Sequence, residues 1–545
     1  MSDNLPEPHD PEESEGGELG RPAGIHAGGD VVFGDKITVG GDYVAGDKIE
    51  NVAVGRNIIQ IGQLVIPARF VLALVLAAVV LAFGAWLAFV PAEMPVNTFN
   101  IAVADFGQFD AQGRVVPSVD GAQLSRWMYG QLADEALVLP TDRPIAIWHD
   151  SMGFTQKRAS LGLIRGDTPE ARERAAAELA RSIKAHVVIY GNLSPEADRA
   201  SFTPEFYVAA LTGEADELLG GQQLGSPIAV QLPVDFANQI TGEHFNATLK
   251  PRAEALIWFV RGLVYDLSGQ HDRALEVFRQ AETQVRDWGG ATCAGSQAGE
   301  SLGKEVLYYF IGREALFLSR TDDEARTAFA SIDEALAAAE EAFRQSLSIR
   351  CDYARANFGL GNVYMQRAQR TLVTGDREPT QLVRARADAD AAIAQQEEAL
   401  QVAARVSGSG VEIKAQIALG MATFVKGNAF LLGGDHAAAV PLFQSAISDI
   451  QPTLASIDPG DHRLLAQTLQ SLATVRHALA HSQLALGDWE ASRMQFAAAI
   501  ELYDRCIAEA DAQVYDAFLQ KLGAEYCTPR RIDASRALAD LEGGS

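Results

Sequence analysis

The sequence predicts a multidomain chain: a short Gly-Asp-rich β-repeat segment, one transmembrane helix, a small α/β domain and an all-α array of helical repeats. Three observations predict it. Residues 70–90 run for 21 positions without a charge. A nine-residue segment at 29–37 is echoed twelve residues later at 41–49. From Lys250 onward strand patterns stop, and small residues recur among aromatics at spacings of three to five. A length of 545 residues corresponds to about three folded domains. With 48% hydrophobic and 8% aromatic residues, wholesale disorder is excluded. A formal net charge of -26 repels nucleic acid and removes it as an expected partner.

Residues 1–28 form an acidic tail; the first twenty hold seven acidic side chains, three prolines and no Lys or Arg, and are expected to be disordered. Residues 29–64 form the β-repeat segment. Gly29-Asp30 and Gly34-Asp35-Lys36-Ile37 are matched by Gly41-Asp42 and Gly46-Asp47-Lys48-Ile49, and a degenerate third copy follows near Gly55 to Ile59. Gly29 and Gly34 have Walker A spacing, but Asp35 stands where a phosphate loop needs Lys, so that reading fails. Calcium-roll repeats have a period of nine, and Lys36 and Lys48 would oppose a cation. Short β-branched runs broken by Gly-Asp turns read as tight strands. The segment resembles the Gly-Asp-Lys repeats that precede effector or signalling domains in some multidomain bacterial proteins. So small a β-unit buries little surface alone, which predicts self-association or docking through residues 29–64.

Residues 68–91 hold the transmembrane helix. The uncharged stretch 70–90 makes a helix about 31 Å long, enough for a bilayer core. Pro67 and Pro91 bracket it, and Trp86 sits near one end, as interfacial aromatics do. Lys48, Arg56 and Arg69 precede it closely, whereas residues 91–112 hold no Lys or Arg. The positive-inside rule therefore predicts a single-pass protein of the cytoplasmic (inner) membrane, its amino terminus in the cytoplasm and residues 92–545 outside.

Residues 98–245 read as strand (98–106), helix (124–137), strand (144–148), charged helix (168–184), strand (186–191) and two further strand-like runs (202–211, 228–233). Asp167-Thr168-Pro169 is a cap-like helix start. The strands Ile101-Ala102-Val103-Ala104-Asp105-Phe106 and Ala185-His186-Val187-Val188-Ile189-Tyr190-Gly191-Asn192-Leu193 resemble the amino-terminal α/β domain of TolB and related envelope proteins. The resemblance implies a protein-contact or regulatory module; no TolB-type propeller follows. His149 and Asp150 follow a strand, but no Cys and no Gly-x-Ser-x-Gly elbow occurs here, so His149 is expected to be a loop residue.

Residues 250–530 carry the helical repeats. Trp258, Gly262, Tyr265, Gly269, Ala274, Phe278 and Ala281 have spacings of 4, 3, 4, 5, 4 and 3. The pattern recurs as Leu360, Gly361 and Tyr364 after Phe343; as Gly427, Phe430, Gly434, Ala439, Phe443 and Ala446; and as Ala480, Gly487, Ser492, Phe496 and Ala499. It resembles the tetratricopeptide repeat (TPR), which implies a solenoid of about four to six helix pairs. The stretches 320–334 and 371–387 are too long for ordinary repeat turns, and residues 531–545 read as a tail.

The TPR register implies a concave groove lined by Phe259, Leu263, Arg355, Phe358, Asn362, Phe424, Asn428, His477 and His481. Asn362 and Asn428 fall where clamp-type TPRs hold a peptide carboxylate, but Phe358 and Phe424 stand where Lys is expected. The apolar lining suits a hydrophobic peptide or helix. His477 and His481, four apart, lack a third metal ligand and a His-Glu-x-x-His pattern, so no metal is expected. Cys293, Cys351, Cys506 and Cys527 all lie in this region. If it is exported they are expected to pair, Cys506–Cys527 being nearest in sequence; if cytoplasmic, they are small core residues.

No complete catalytic or cofactor-binding constellation is present, so the chain reads as a non-enzymatic, membrane-anchored scaffold of bacterial type. It would bind protein or peptide partners through the TPR groove and the α/β domain. The rival reading is a ligand sensor or enzyme centred on the α/β domain, with the repeats as transmitter; it requires a polar pocket near Asp105 and His149 at the carboxyl ends of the strands.

Overall fold

The computed structural model describes residues 54–55, 58–61 and 64–67, and residues 93–543 apart from 137–143, 150–160, 197–198, 210–219, 224–226, 235–249, 268, 286–303, 321–326, 375–377, 406–410 and 514–515. The first two Gly-Asp repeats and the uncharged stretch 70–90, predicted to span a membrane, lie outside the described residues. The chain divides into two compact units, Met1–Ala85 and Trp86–Ser545. In the first, β1 (Val54–Gly55), β2 (Ile58–Ile61) and β3 (Leu64–Pro67) form an antiparallel meander with Gly55 opposite Ile58 and Ile61 opposite Leu64. Two residues separate consecutive strands, the shortest hairpin connection.

The second unit begins with a mixed sheet. Its members are β4 (Phe99–Val103), β5 (Gly107–Phe109), β6 (Val115–Pro117), β7 (Ile145–Trp148), β8 (Val187–Pro195), β9 (Arg199–Val208), β10 (Gly220–Gln223) and β11 (Ile228–Gln231). The order is β10-β9-β8-β4-β7, with β11 also on β9 and β5 joining β6 and β8. β7, β4 and β8 are parallel and β9 runs antiparallel to β8. Helix α1 (Val119–Ala136) covers one face and α2 (Pro169–Ile183) the other. The strand period of two divides the sheet cleanly. Phe99, Ile101, Val103, Val187 and Ile189 pack with Leu124, Met128 and Leu132 of α1. Ala102, Ala104, Val188 and Tyr190 pack with Ala176, Ala180 and Ile183 of α2. Strands buried on both faces need apolar residues at every position, which is why β4 and β8 read as near-continuous apolar runs. Thr168 caps α2 by accepting from Ala171 N at 3.2 Å, and Lys184 closes it in the left-handed conformation. A buried fork fastens α2 to β9: Arg172 donates from Nε and Nη2 to Glu205 at 2.9 and 2.6 Å.

The remainder is an array of antiparallel helix pairs. Each pair has a helix A and a helix B: α3 (Lys250–Leu267) with α4 (His271–Val285), α5 (Lys304–Leu318) with α6 (Ile332–Ile349), α7 (Ala354–Thr374) with α8 (Pro379–Arg405), α9 (Glu412–Leu432) with α10 (His436–Ile450), and α11 (His462–Ala485) with α12 (Trp489–Ala512). Helix A of each later pair packs on the next, α5 on α7, α7 on α9 and α9 on α11, which builds one wall. The wall is held by small residues under aromatic rings. A Cβ on Gly262 would collide with the Phe278 ring, and one on Gly427 with Phe443. Ala480 packs with Phe496. All three pairs are sixteen residues apart in sequence. Gly269, Gly434 and Gly487 turn helix A into helix B at φ of +70°, +79° and +81°, a region that L side chains avoid.

The structure departs from the sequence reading in four places. The second helix pair is complete, although its glycine and aromatic are 31 residues apart: Gly312 and Gly359 both face Phe343. Residues 371–387 are not a long turn, because α7 runs to Thr374 and α8 starts at Pro379. The strands β5, β6 and β10 were not anticipated. Finally, the predicted tail is helical as far as Gly543. Beyond α13 (Ala517–Lys521), α14 (Thr528–Gly543) sets Ala534, Ala537, Leu538 and Leu541 against Phe496, Ile500 and Ala480. A Cys506–Cys527 disulfide joins α12 to the turn before α14, and Cys351 is also disulfide-bonded.

Among the described residues one helix is long and apolar enough to cross a membrane, α9 (Glu412–Leu432). It is a helix A whose Phe424 and Gly427 pack on Phe443 of α10.

Candidate partner-binding wall

The contact glycine or alanine of each pair sets a common register along helix A. Three residues before it stand Phe259, Tyr309, Phe358, Phe424 and His477; one residue after it stand Leu263, Arg313, Asn362, Asn428 and His481. Eight of these ten were predicted; Tyr309 and Arg313 were missed with their helix pair.

The first column is buried throughout. Phe259 meets Phe206 of the sheet at 5.5 Å, Phe278 at 5.6 Å and Phe310 at 5.0 Å, so it seals the α/β domain to the first pair. Phe358 packs with Ala399 of α8 and Ala415 and Ala418 of α9. Phe424 lies 5.6 Å from the Phe443 ring. These rings are packing residues, not exposed anchors: the sites they reach are already filled by neighbouring small-residue helices. Arg355, also predicted to line the groove, is buried as well.

The second column behaves differently. Leu263 is 0% exposed, Arg313 5% and Asn362 9%, whereas Asn428 is half-buried and His481 exposed. The wall is closed at its amino-terminal end and opens toward its carboxyl end. Asn362 is engaged, since Gln396 Nε2 lies 3.4 Å from its Oδ1 and donates to Phe358 O at 3.1 Å. His477 and His481 stack at 4.9 Å against Phe496. Burial, with His481 and Arg530 nearby, pushes His477 down to about 4, so it is neutral at pH 7.

At the closed end lies a charged cluster that the sequence reading did not identify. Asp266 ends α3, His271 begins α4, and Arg313 and Glu314 sit on α5. Arg313 Nη1 donates to Asp266 Oδ2 at 2.6 Å and to Glu314 Oε1 at 3.0 Å; His271 Nδ1 lies 2.7 Å from Glu314 Oε2. Phe317 stacks on His271 at 4.7 Å and under the Arg313 guanidinium at 4.7 Å. Oxygen and nitrogen atoms of Asp266, His271 and Glu314 come within 4.8 Å of one another, the spacing of a metal site, but the guanidinium already bridges both carboxylates and supplies the positive charge. Asp266 was findable from its place four residues after Gly262.

In the α/β domain His149 is a loop residue, directly after β7. It is buried at the end of β7, with Nε2 3.2 Å from Ser125 Oγ and its ring edge-on to Tyr129. Beyond β4 the chain continues into β5, whose Gly107 pairs with Asn192 of β8. A cleft of about 530 Å³ lies along α4, on the helix B side, lined by Asp272, Arg273, Glu276, Arg279 and Thr327. Its charges are of both signs.

No family model and no curated protein matches the chain. Among solved structures it is similar to a thermophilic TPR protein of Thermus thermophilus, at 16% identity over 47% of this chain and 98% of that one, TM-score 0.25. It is similar to the S. pombe nuclear import adaptor Nro1, at 10% identity over 54% and 94%, TM-score 0.35. It is also similar to RapI in its apo form, at 13% identity over 53% and 84%, TM-score 0.29. The chain's own packing defines its class. Among the described residues, five successive helix pairs, four of them with a small residue of helix A beneath an aromatic of helix B and the third with Gly361 against Gln396, are a TPR-type helical-repeat array.

Proposed function

We propose that the protein is a membrane-anchored, non-enzymatic scaffold that binds a protein or peptide partner on the carboxyl-terminal part of its helix A wall. The observation that carries this reading is the graded exposure of one register column, from buried Leu263 to exposed His481. An array of stacked pairs offers a preorganised concave surface, which lowers the entropic cost of binding an extended chain. The accessible positions, Asn428 and His481, are hydrogen-bonding groups, so the recognition there is polar, over a floor of buried Phe424 and Phe496. The α/β domain serves as a second contact module, in keeping with its TolB-like strands, and residues 29–64 self-associate or dock.

The anchor is the uncharged stretch 70–90, with the amino terminus in the cytoplasm and residues 92–545 outside. The basic residues on its amino-terminal side support this orientation. The disulfide-bonded Cys351, Cys506 and Cys527 support it too, because oxidising compartments favour disulfides.

Photocrosslinking in intact cells tests the reading. A crosslinker placed at Asn428 or His481 should yield one discrete protein adduct, and one placed at Leu263 should yield none. Equal labelling from all three positions would remove the wall as the binding surface. Protease added to spheroplasts should digest residues 92–545; full protection would reverse the topology.

A further inference from the structure

We propose that the first two helix pairs are joined by a proton-controlled latch, in which a single proton held between His271 and Glu314 keeps the joint closed. The latch spans three helices: Asp266 ends α3, His271 begins α4, and Arg313 and Glu314 come from the middle of α5. The charged groups facing His271 among the described residues are Asp266 from α3 and Arg313 and Glu314 from α5. Arg320 lies farther out, beyond Phe317, and is hydrogen-bonded to Gln366 of α7. Asp272, next to His271, is turned to the amides of Thr327 and Ala328.

Two carboxylates and one guanidinium leave this cluster with one net negative charge, and Glu314 is fully buried. An uncompensated charge in such a place is expensive. One proton, on His271 or on Glu314, brings the cluster to neutrality, and the 2.7 Å contact between them is where it resides. Burial first, then Asp266, pushes the Glu314 carboxyl up to about 7. Burial alone would lower His271, but its hydrogen bond to Glu314 and the charges of Glu314 and Asp266 outweigh it and raise it above the ordinary 6.5. Both folded values are raised, so the folded joint binds the proton more tightly than the unfolded chain does. Its stabilisation is present at low pH and lost as pH rises through about 7 and above. Losing the proton leaves the charge buried unless α4 and α5 part and admit water. Arg313 stands in the wall's register column, so that parting would uncover the amino-terminal end of the wall.

Hydrogen exchange on the full-length chain in detergent tests this. Between pH 5.5 and 8.5, after correction for intrinsic exchange rates, peptides covering 263–272 and 310–318 should lose protection severalfold, because the folded joint binds the proton more tightly than the unfolded chain does. Peptides from α11 should not follow. In Glu314→Gln the cluster is neutral without the proton, so protection at this joint should be nearly equal at both pH values. Wild-type protection that does not change, or a fall that persists in Glu314→Gln, would overturn the latch. Should that variant fail to fold, the His271 ring resonance in ring-labelled wild-type protein, assigned by its loss in His271→Asn, decides the matter. A midpoint above 6.5 supports the latch and one at or below 6.5 overturns it.

Discussion

The two ends of the helical array use the same register positions for opposite purposes. In the first two pairs, the positions after the contact glycine are Leu263 and Arg313, buried beneath the sheet junction and within a charged cluster. In the last two pairs they are Asn428, half-buried, and His481, exposed at its edge while its ring stacks on His477. A repeat architecture therefore does not guarantee a uniform groove. What packs on each pair decides whether a wall position is core or surface. The titratable groups differ in the same way: at the first end a proton is held, and at the last end His477 is kept neutral.

The largest expected effect tests whether the buried column is core. Phe424→Ala should cost about 3–5 kcal/mol, the range for a fully packed aromatic, as read by denaturant midpoint. A cost under about 1 kcal/mol would return Phe424 to the open wall. Next, Gly262→Leu should overpack the Phe278 contact and destabilise by about 1–3 kcal/mol. An unchanged thermal midpoint would break the register on which the comparison rests.

The third prediction concerns pH at the open end, where the sign is opposite to that of the latch. His477 has a folded value lowered to about 4, so the unfolded chain takes up its proton first as pH falls. Stability should therefore drop between about pH 6.5 and pH 4, by on the order of 1–3 kcal/mol, and His477→Gln should flatten that part of the profile. The groups facing it are His481 on its own helix, Phe496 and Tyr503 on α12, and Arg530 and Asp533 from α14. An acid limb that is the same in both proteins would assign the effect elsewhere. The smallest effect on folding is expected from Asn428→Ala and His481→Ala, within about 0.5 kcal/mol, because neither side chain is fully buried. These two should nevertheless reduce crosslinking to the partner. If they destabilise the protein and leave crosslinking intact, the open end is structural.

Most of the fold was legible where burial imposes a period. β4 and β8, covered on both faces, stand out as apolar runs, and α2 announces itself through Thr168 and Pro169. Three-residue strands such as β5 and β6 are too short to leave a period. The second helix pair was hidden because the loop before α6 stretches its glycine-to-aromatic interval to 31 residues, while the first, fourth and fifth pairs keep sixteen. α14 was visible in principle, since Ala534, Ala537, Leu538 and Leu541 keep the i, i+3, i+4, i+7 spacing. The site was legible only as a set of positions. Helical periodicity identifies the face a residue occupies but not what covers that face, so Phe358 and Asn428 looked alike until α9 was found against one of them.

The junction of Phe206 with Phe259 also bears on how such a chain can change length over evolutionary time. A stack of helix pairs presents a sticky apolar face at each terminus, and unprotected faces invite copies to join end to end. Here the sheet covers one face, and α14, stapled through Cys527, covers the other. Duplication of a pair at either border would separate a lid from the surface it fits, whereas duplication of an interior pair would preserve both lids. Gain or loss of repeats in this architecture is therefore expected in the middle of the array, around α7 to α10, with both borders held constant.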